Sequence, residues 1–292
     1  MQTHIKFYSF DKLVKKGKNL LLFFYFKYHR ILYYFKYRIP IHNAKVDKNR
    51  LVAFDSIVEG IKSVAIIGKG ASILESNPKS LIQECDFKCV MGIIDVDYFE
   101  SYIGNSIDAQ MTGHVGRIDS LMPVFSKNII QKYGIKVLIC NSTKKYKKGH
   151  ILKDYWNYFN NRAPFISYMA DDKELRFDGD PGKYGGHGLG VTANLLRMLY
   201  ELKSLERIVF AGIDAYHFDY AYGDNHKKSG KVFYDMYAGS SDPKITHGIP
   251  FLKFLFHTLD EINSTKYLEV WFPCILKNYI DFPDKVYYKF YK

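Results

Sequence analysis

Seven short apolar runs, each about as long as one β-strand, recur along the chain between segments of helical periodicity. The predicted strands are 63–68, 88–94, 106–112, 136–141, 164–169, 207–213 and 266–272. The predicted helices are 78–84, 116–134, 189–203 and 249–263. Short apolar runs that alternate with helices are typical of a parallel sheet covered on both faces. The sequence therefore predicts an α/β fold with a single, mainly parallel, Rossmann-like sheet and helices on both faces.

The first predicted strand runs directly into a glycine-rich turn, Gly68-Lys69-Gly70-Ala71-Ser72. A strand that enters glycines and then a helix presents backbone N–H groups to a phosphate, and the missing Cβ atoms let the phosphate approach closely. The spacing is neither G-x-G-x-x-G nor the P-loop pattern, so a tight turn without a ligand is the alternative. A second glycine-rich approach to a helix, residues 185–190, is a second candidate anion site.

The positive charge of the chain is concentrated in its first residues. Of the net +12, residues 1–38 carry nine Lys or Arg against one acidic residue, which is +8 there and +4 elsewhere. The apolar run 20–26 is too short for a bilayer, which takes about 20 residues, and no signal-peptide cleavage site follows it. Basic and aromatic side chains together predict a helix on an anionic membrane surface. The alternatives are a helix packed on the domain, or nucleic-acid binding, for which no motif is present.

The chain is predicted to have two parts. Residues 1–60 form the membrane-associating extension and its connection, and residues 61–292 form the globular domain. Residues 215–246 are polar, aromatic and too long for an ordinary connection, which predicts a lid. The four cysteines lack metal-ligand spacing, so buried free thiols and a reducing cytoplasm are predicted. They are Cys85, Cys89, Cys140 and Cys274.

Five segments follow one another in a characteristic order across residues 61–275. They are Gly68-Lys69-Gly70-Ala71-Ser72, the stretch ending Gly188-Leu189-Gly190-Val191-Thr192, Ala211-Gly212-Ile213-Asp214-Ala215-Tyr216, His247, and the strand into proline at 268–273. They resemble, in turn, the G-N-G-P-S loop, the T-S-G turn, the S-G-I-D-F-Y strand end, the catalytic histidine and the final strand of bacterial lipooligosaccharide sialyltransferases. The animal sialyltransferases are more distantly similar.

This resemblance implies an inverting transferase with a GT-A-like variant of the fold. It would move sialic acid from CMP-sialic acid to a lipooligosaccharide or other glycan, in the cytoplasm and peripheral on the inner membrane, without an obligatory metal. The implied catalytic residues are His247 as general base, and Tyr216 and Tyr222 on the leaving phosphate, with Tyr220 as the alternative to Tyr222. The implied donor-binding residues are Gly68, Lys69, Gly70, Ser72, Thr112, His114, Gly188, Gly190 and Asp214. His114 is the second choice for the base, and a homo-oligomer is left open.

Departures from the family pattern keep alternatives open. Lys69 stands where the family has asparagine, the asparagine expected after the second strand falls near Ile93, and no Thr-Ser pair precedes Gly190. A CMP-Kdo-dependent transferase of lipopolysaccharide core is the first alternative. A nucleotide-dependent pyrophosphokinase and a non-catalytic membrane-bound module are the others. Asp95-Val96-Asp97 could hold Mg²⁺ or Mn²⁺ at a strand end, or be a solvated strand end without a metal.

Overall fold

The structure, a computed structural model, describes the following parts of the chain. They are residues 54–91, 96–112, 132–140, 165–168, 192, 195–196, 199–200, 202–215, 217 and 248–292. The chain divides into two units, Met1–Ala44 and Lys45–Lys292, and every described residue belongs to the second. The predicted membrane segment at 1–38 lies outside the described residues, as does all of the predicted lid except Ala215 and His217.

Eight strands of the described residues form one parallel sheet. They are β1 (Ser63–Ile67), β2 (Phe87–Met91), β3 (Ala109–Thr112), β4 (Val137–Cys140), β5 (Phe165–Tyr168), β6 (Arg207–Ala211), β7 (Glu269–Pro273) and β8 (Tyr288–Tyr291). The order is β5-β4-β3-β2-β1-β6-β7-β8, and every neighbouring pair is parallel. The predicted parallel α/β fold is confirmed, and all seven predicted strands are present with shifted ends. The eighth, β8, was not predicted.

Four α-helices have complete bounds. They are α1 (Phe54–Val58), α2 (Lys79–Gln83), α3 (Val96–Ile103) and α4 (Ile249–Thr265), with 3-10 turns at Ala71–Ile73 and Cys274–Asn278. The predicted helices at 78–84 and 249–263 are confirmed, and the one at 189–203 is helical at its described positions between Thr192 and Tyr200. Most of the predicted helix at 116–134 lies outside the described residues. Helix α1 lies in the predicted connection, and α3 places Asp97 in a helix rather than at a strand end.

Strand β1 lies at the centre of the core. All five of its residues are buried, so both faces of the sheet are covered there. Val64 and Ile66 belong to a cluster that includes Leu255 and Leu259 of α4. Helix α2 lies between β1 and β2 in the chain, and α3 lies between β2 and β3, so both connections lead away from β6. Helix α4, between β6 and β7, leads in the opposite direction. Because parallel crossovers are right-handed, α2 and α3 cover the face of the sheet opposite to α4.

Three of the cysteines, Cys85, Cys89 and Cys274, are free thiols, as predicted. Cys85 and Cys89 are buried, whereas Cys274 is half-buried. Burial raises the pKa of the Cys85 thiol to about 11, so it is unreactive near neutral pH. Among the described residues, no helix has both the length and the apolar character needed to cross a membrane.

Candidate functional site

The order of strands reverses its direction between β1 and β6. From β1 the chain continues to β2 on one side, and from β6 it continues to β7 on the other. Connections that leave in opposite directions open a crevice at the carboxyl ends of the two strands, where open α/β sheets bind their ligands. The segments that leave there are Gly68–Ser72, after β1, and Gly212–Ala215, after β6. Both were singled out from the sequence.

These two segments are joined by backbone hydrogen bonds. Gly68 N donates to Ala211 O at 2.7 Å, and Gly70 N donates to Gly212 O at 2.8 Å. A Cβ on Gly68 would lie 2.2 Å from Gly212 O. The first loop therefore continues the pairing of β1 with β6 beyond Ile67 and Ala211, and glycine is required because the two backbones touch.

The carboxylate of Asp214 makes the second contact between the segments. Ser72 N donates to Asp214 Oδ2 at 2.9 Å, and the Ser72 hydroxyl donates to Oδ1. Gly70 lies against the same side chain, since a Cβ there would be 2.2 Å from Asp214 Oδ2. We refer to the contacts of Gly68, Gly70 and Ser72 with residues 211–214 as the clasp.

The clasp corrects one expectation from the sequence. The amide groups of Gly68, Gly70 and Ser72 donate within the protein, so they do not provide free N–H groups for a phosphate. Asp214 likewise contacts the loop through both of its oxygens. The clasp fixes the shape of the loop. The donor-binding role of these residues remains a prediction, and it now concerns the outer surface of the loop rather than its amide groups. Lys69 is half-buried between the two glycines.

Asp214 is only 4% exposed. Burial raises the pKa of its carboxyl to about 6, against the opposing effect of the hydrogen bonds from Ser72. An ionised carboxylate in this position is therefore costly.

Asp214→Asn is expected to change the pH dependence of stability. Burial raises the pKa of Asp214 in the folded state from 3.8 to about 6. The contribution of this carboxyl group to the free energy of unfolding is therefore fully present below pH 4, and about 3 kcal/mol of it is lost as pH rises through 6. The neutral amide avoids this loss, so the stability of the variant relative to the parent should grow from pH 4 to pH 7. Urea unfolding at four pH values measures it, with the exposed Asp281→Asn as control. A difference that stays constant with pH contradicts the prediction.

The turn after Asp214 meets the start of α4. Ala215 has φ +48°, a left-handed conformation rare outside glycine, and His217 N donates to Asp214 O at 2.9 Å. A Cβ on Gly248 would lie 2.1 Å from Ala215 O. The amino end of α4 therefore packs directly on the strand-β6 segment of the site.

Several predicted site residues lie outside the described residues. They are Tyr216, Tyr222, His247, His114, Gly188 and Gly190. Of their neighbours, Ala215, Gly248 and Thr192 are described, and all three are buried. Thr112 ends β3 at the same edge of the sheet as the clasp, two strands and so about 10 Å from β1.

No metal centre is found among the residues that the structure describes, where no three His, Cys, Asp or Glu side chains cluster. Asp95 lies outside them, and Asp97 is in α3. The sequence motif contained Gly212 without giving it a role, and Gly248 was not among the predicted site residues. Gly212, at φ +64°, permits the turn into Asp214, and only the tertiary contact of Gly248 shows why it is glycine.

No family model and no curated protein matches the chain. Among solved structures, it is similar to the monofunctional alpha-2,3-sialyltransferase Cst-I from Campylobacter jejuni, at 16% identity and a TM-score of 0.45 over 78% of this chain and 79% of that chain. It is also similar to the sialyltransferase CstII from Campylobacter jejuni with the substrate analogue CMP-3FNeuAc, at 18% identity and a TM-score of 0.45 over 78% of this chain and 88% of that chain. To a mammalian sialyltransferase the identity is 10% and the TM-score 0.41, over 76% of this chain and 75% of that chain. All three are sialyltransferases, the family that the sequence motifs resemble, but identities and TM-scores this low assign no activity to this chain.

Proposed function

We propose that this chain is a glycosyltransferase that transfers sialic acid from CMP-sialic acid to a lipooligosaccharide or other cell-surface glycan. One observation carries the proposal. The two segments that match the sialyltransferase motifs, Gly68–Ser72 and Gly212–Asp214, are clasped together at the switch point of the sheet although 142 residues separate Ser72 from Asp214. Such a crevice is where parallel α/β sheets hold nucleotides.

In this proposal the nucleotide lies across the carboxyl ends of β6, β1 and β3. The clasped loop presents Lys69 as a positive charge toward the donor phosphate. Thr112, at the end of β3, and His114 contact the ribose or the phosphate. Gly188 and Gly190 contribute the second glycine-rich approach. The span of about 10 Å from β1 to β3 suits a nucleoside monophosphate.

The proposed reaction is a single displacement that inverts the anomeric carbon. The acceptor oxygen forms a bond to that carbon as the bond from the carbon to the phosphate oxygen breaks, and CMP leaves with the electron pair. His247 takes the acceptor proton, for which a group with a pKa near working pH is suited. Tyr216 and Tyr222 donate hydrogen bonds to the departing phosphate, where neutral donors in a dry site contribute several kcal/mol.

A donor screen tests this function. Purified protein with a panel of oligosaccharide acceptors should release CMP from CMP-sialic acid at least about tenfold faster than from CMP-Kdo, and EDTA should not change the rate. Faster turnover of CMP-Kdo assigns the chain to the Kdo alternative, and AMP release from ATP assigns it to the pyrophosphokinases. If CMP does not raise the melting temperature at all, the chain is not a nucleotide enzyme of this kind.

A further inference from the structure

His217 is fixed by two contacts in the turn that follows β6. Its backbone N donates to Asp214 O at 2.9 Å, and its ring Nδ1 lies 3.1 Å from the same oxygen. A carbonyl oxygen only accepts hydrogen bonds, so Nδ1 carries the proton in this contact. In the neutral imidazole the lone pair then lies on Nε2, at the edge of the ring away from Asp214 O. The turn therefore makes Nε2 a hydrogen-bond acceptor.

The backbone directly before His217 is strained. Ala215 has φ +48°, in the left-handed region that is unfavourable for a residue with a Cβ. Ala215 is only 1% exposed, and its carbonyl oxygen lies against Gly248, where a Cβ would be 2.1 Å away. Strained backbone that the surrounding packing enforces is concentrated at active sites and ligand-binding turns. The strain at Ala215 thus indicates that the residues after it are aimed for a purpose.

The turn belongs to the site described above. The carboxylate of Asp214 is held by Ser72 of the glycine loop, so the carbonyl that fixes His217 is part of the clasped segment at the carboxyl end of β6. His217 is half-buried there. The resemblance gave roles to Asp214 and Tyr216 but none to His217. Both oxygens of Asp214 are used within the clasp, whereas Nε2 of His217 lies on the side of the ring away from it.

We propose that His217 binds the donor, with Nε2 accepting a hydrogen bond from a hydroxyl group of the nucleotide sugar. The inference rests on the proposed function, which brings a donor with many hydroxyl groups to this edge of the sheet. A neutral imidazole acceptor suits a hydroxyl and does not suit an ionised phosphate or carboxylate, which offer no proton. The hydroxyl belongs either to the ribose or to the transferred sugar, and binding measurements separate the two.

Two amide side chains separate the roles of the two ring nitrogens. In His217→Asn the amide N–H takes the place of Nδ1–H and keeps the bond to Asp214 O, but nothing replaces Nε2. In His217→Gln the longer side chain places its amide oxygen where Nε2 was and keeps the acceptor, without the Nδ1 contact. A residue that only fixes the turn needs the first atom. A residue that binds the donor needs the second.

His217→Asn is expected to raise the KM for CMP-sialic acid about five- to tenfold, the usual contribution of one hydrogen bond. The kcat should stay within about twofold, because the contact is made equally in the bound donor and in the transition state. His217→Gln should keep the KM within about threefold of the parent. The matched control is His257→Asn, at an exposed histidine of α4, which should change neither constant. Urea unfolding checks that each variant folds.

Calorimetry with CMP identifies the hydroxyl. If it belongs to the ribose, His217→Asn weakens CMP by the same factor as the whole donor, and either 2′-deoxy-CMP or 3′-deoxy-CMP binds the parent and the variant equally, since the partner group is already missing. If it belongs to the transferred sugar, the Kd for CMP keeps its parental value and only the KM for CMP-sialic acid rises. Both results support the contact.

The proposed function and the role of His217 fail in different ways. If the parent binds neither CMP nor CMP-sialic acid, the proposed function is wrong and the donor contact falls with it. If the parent binds both and His217→Asn keeps the parental KM and Kd, the function stands, His217 only fixes the turn, and the inference is overturned. Equal losses of affinity in His217→Asn and His217→Gln also overturn it, because the acceptor that glutamine keeps would then have no effect.

Discussion

Gly70→Ala is expected to abolish the clasp and to weaken CMP binding at least about tenfold, a change of 1.4 kcal/mol or more. The backbone of Gly70 has φ −73° and ψ 151°, which alanine adopts without strain, so the effect comes from the added methyl group. That group would lie 2.2 Å from Asp214 Oδ2 and 2.4 Å from its Cγ. Two hydrogen bonds from Ser72 hold the carboxylate in place, so the loop and the β6 segment must separate.

Overpacking of a buried contact typically costs about 1–3 kcal/mol of stability. Titration calorimetry with CMP and urea unfolding measure the two effects. The control is Gly60→Ala, where φ is +74° and no atom lies within 4 Å of the new Cβ. It should cost about 1–2 kcal/mol of stability through backbone strain alone and leave CMP affinity unchanged. Parental CMP affinity in Gly70→Ala would show that the clasp does not shape the donor site.

His247→Ala is expected to lower the rate of sugar transfer about 10²- to 10⁴-fold, the usual contribution of a general base. The Kd for CMP should stay within about twofold, because the base acts on the acceptor rather than on the nucleotide. The residue that follows His247, Gly248, packs on Ala215 of the β6 segment, so the chain reaches the clasp directly after this position. Single-turnover transfer and CMP calorimetry measure the two quantities.

The control is His257→Ala, ten residues further along the chain. His257 is an exposed residue of α4 whose Nε2 lies 3.4 Å from Glu261 Oε1, and its replacement should leave transfer unchanged. Retained turnover in His247→Ala contradicts the assignment. If His114→Ala then removes transfer while CMP affinity holds, the base is His114, the second candidate from the sequence.

Much of the fold could be predicted because buried parallel strands are short continuous apolar runs. Strand β1, with five buried residues in a row, is the clearest case. Strand β8 could not be predicted in the same way. At the edge of the sheet, its first and last residues, Tyr288 and Tyr291, are buried, and the two between them, Lys289 and Phe290, are half-buried. This mixed pattern does not stand out in a chain rich in tyrosine and lysine.

The glycine loop could be singled out from the sequence as a candidate site, but not what its backbone does. Whether Gly70 N faces a ligand or a carbonyl depends on Gly212, which no local pattern links to it. Asp214 was found through its motif, and its partner, Ser72, became clear only in three dimensions. The role of Pro273, which has no N–H and leaves Phe210 O to the hydroxyl of Tyr291, likewise depends on the register of β6 and β7.

The clasp also sets the order in which this protein can acquire its site. Ser72 and Asp214 are 142 residues apart, so in a growing chain the proposed nucleotide site is incomplete until β6 has been made and has paired with β1. Closing so long a loop is slow and entropically costly. A nucleotide that binds across β1 and β6 should therefore act as a folding ligand, because it stabilises the central pairing of the sheet by mass action.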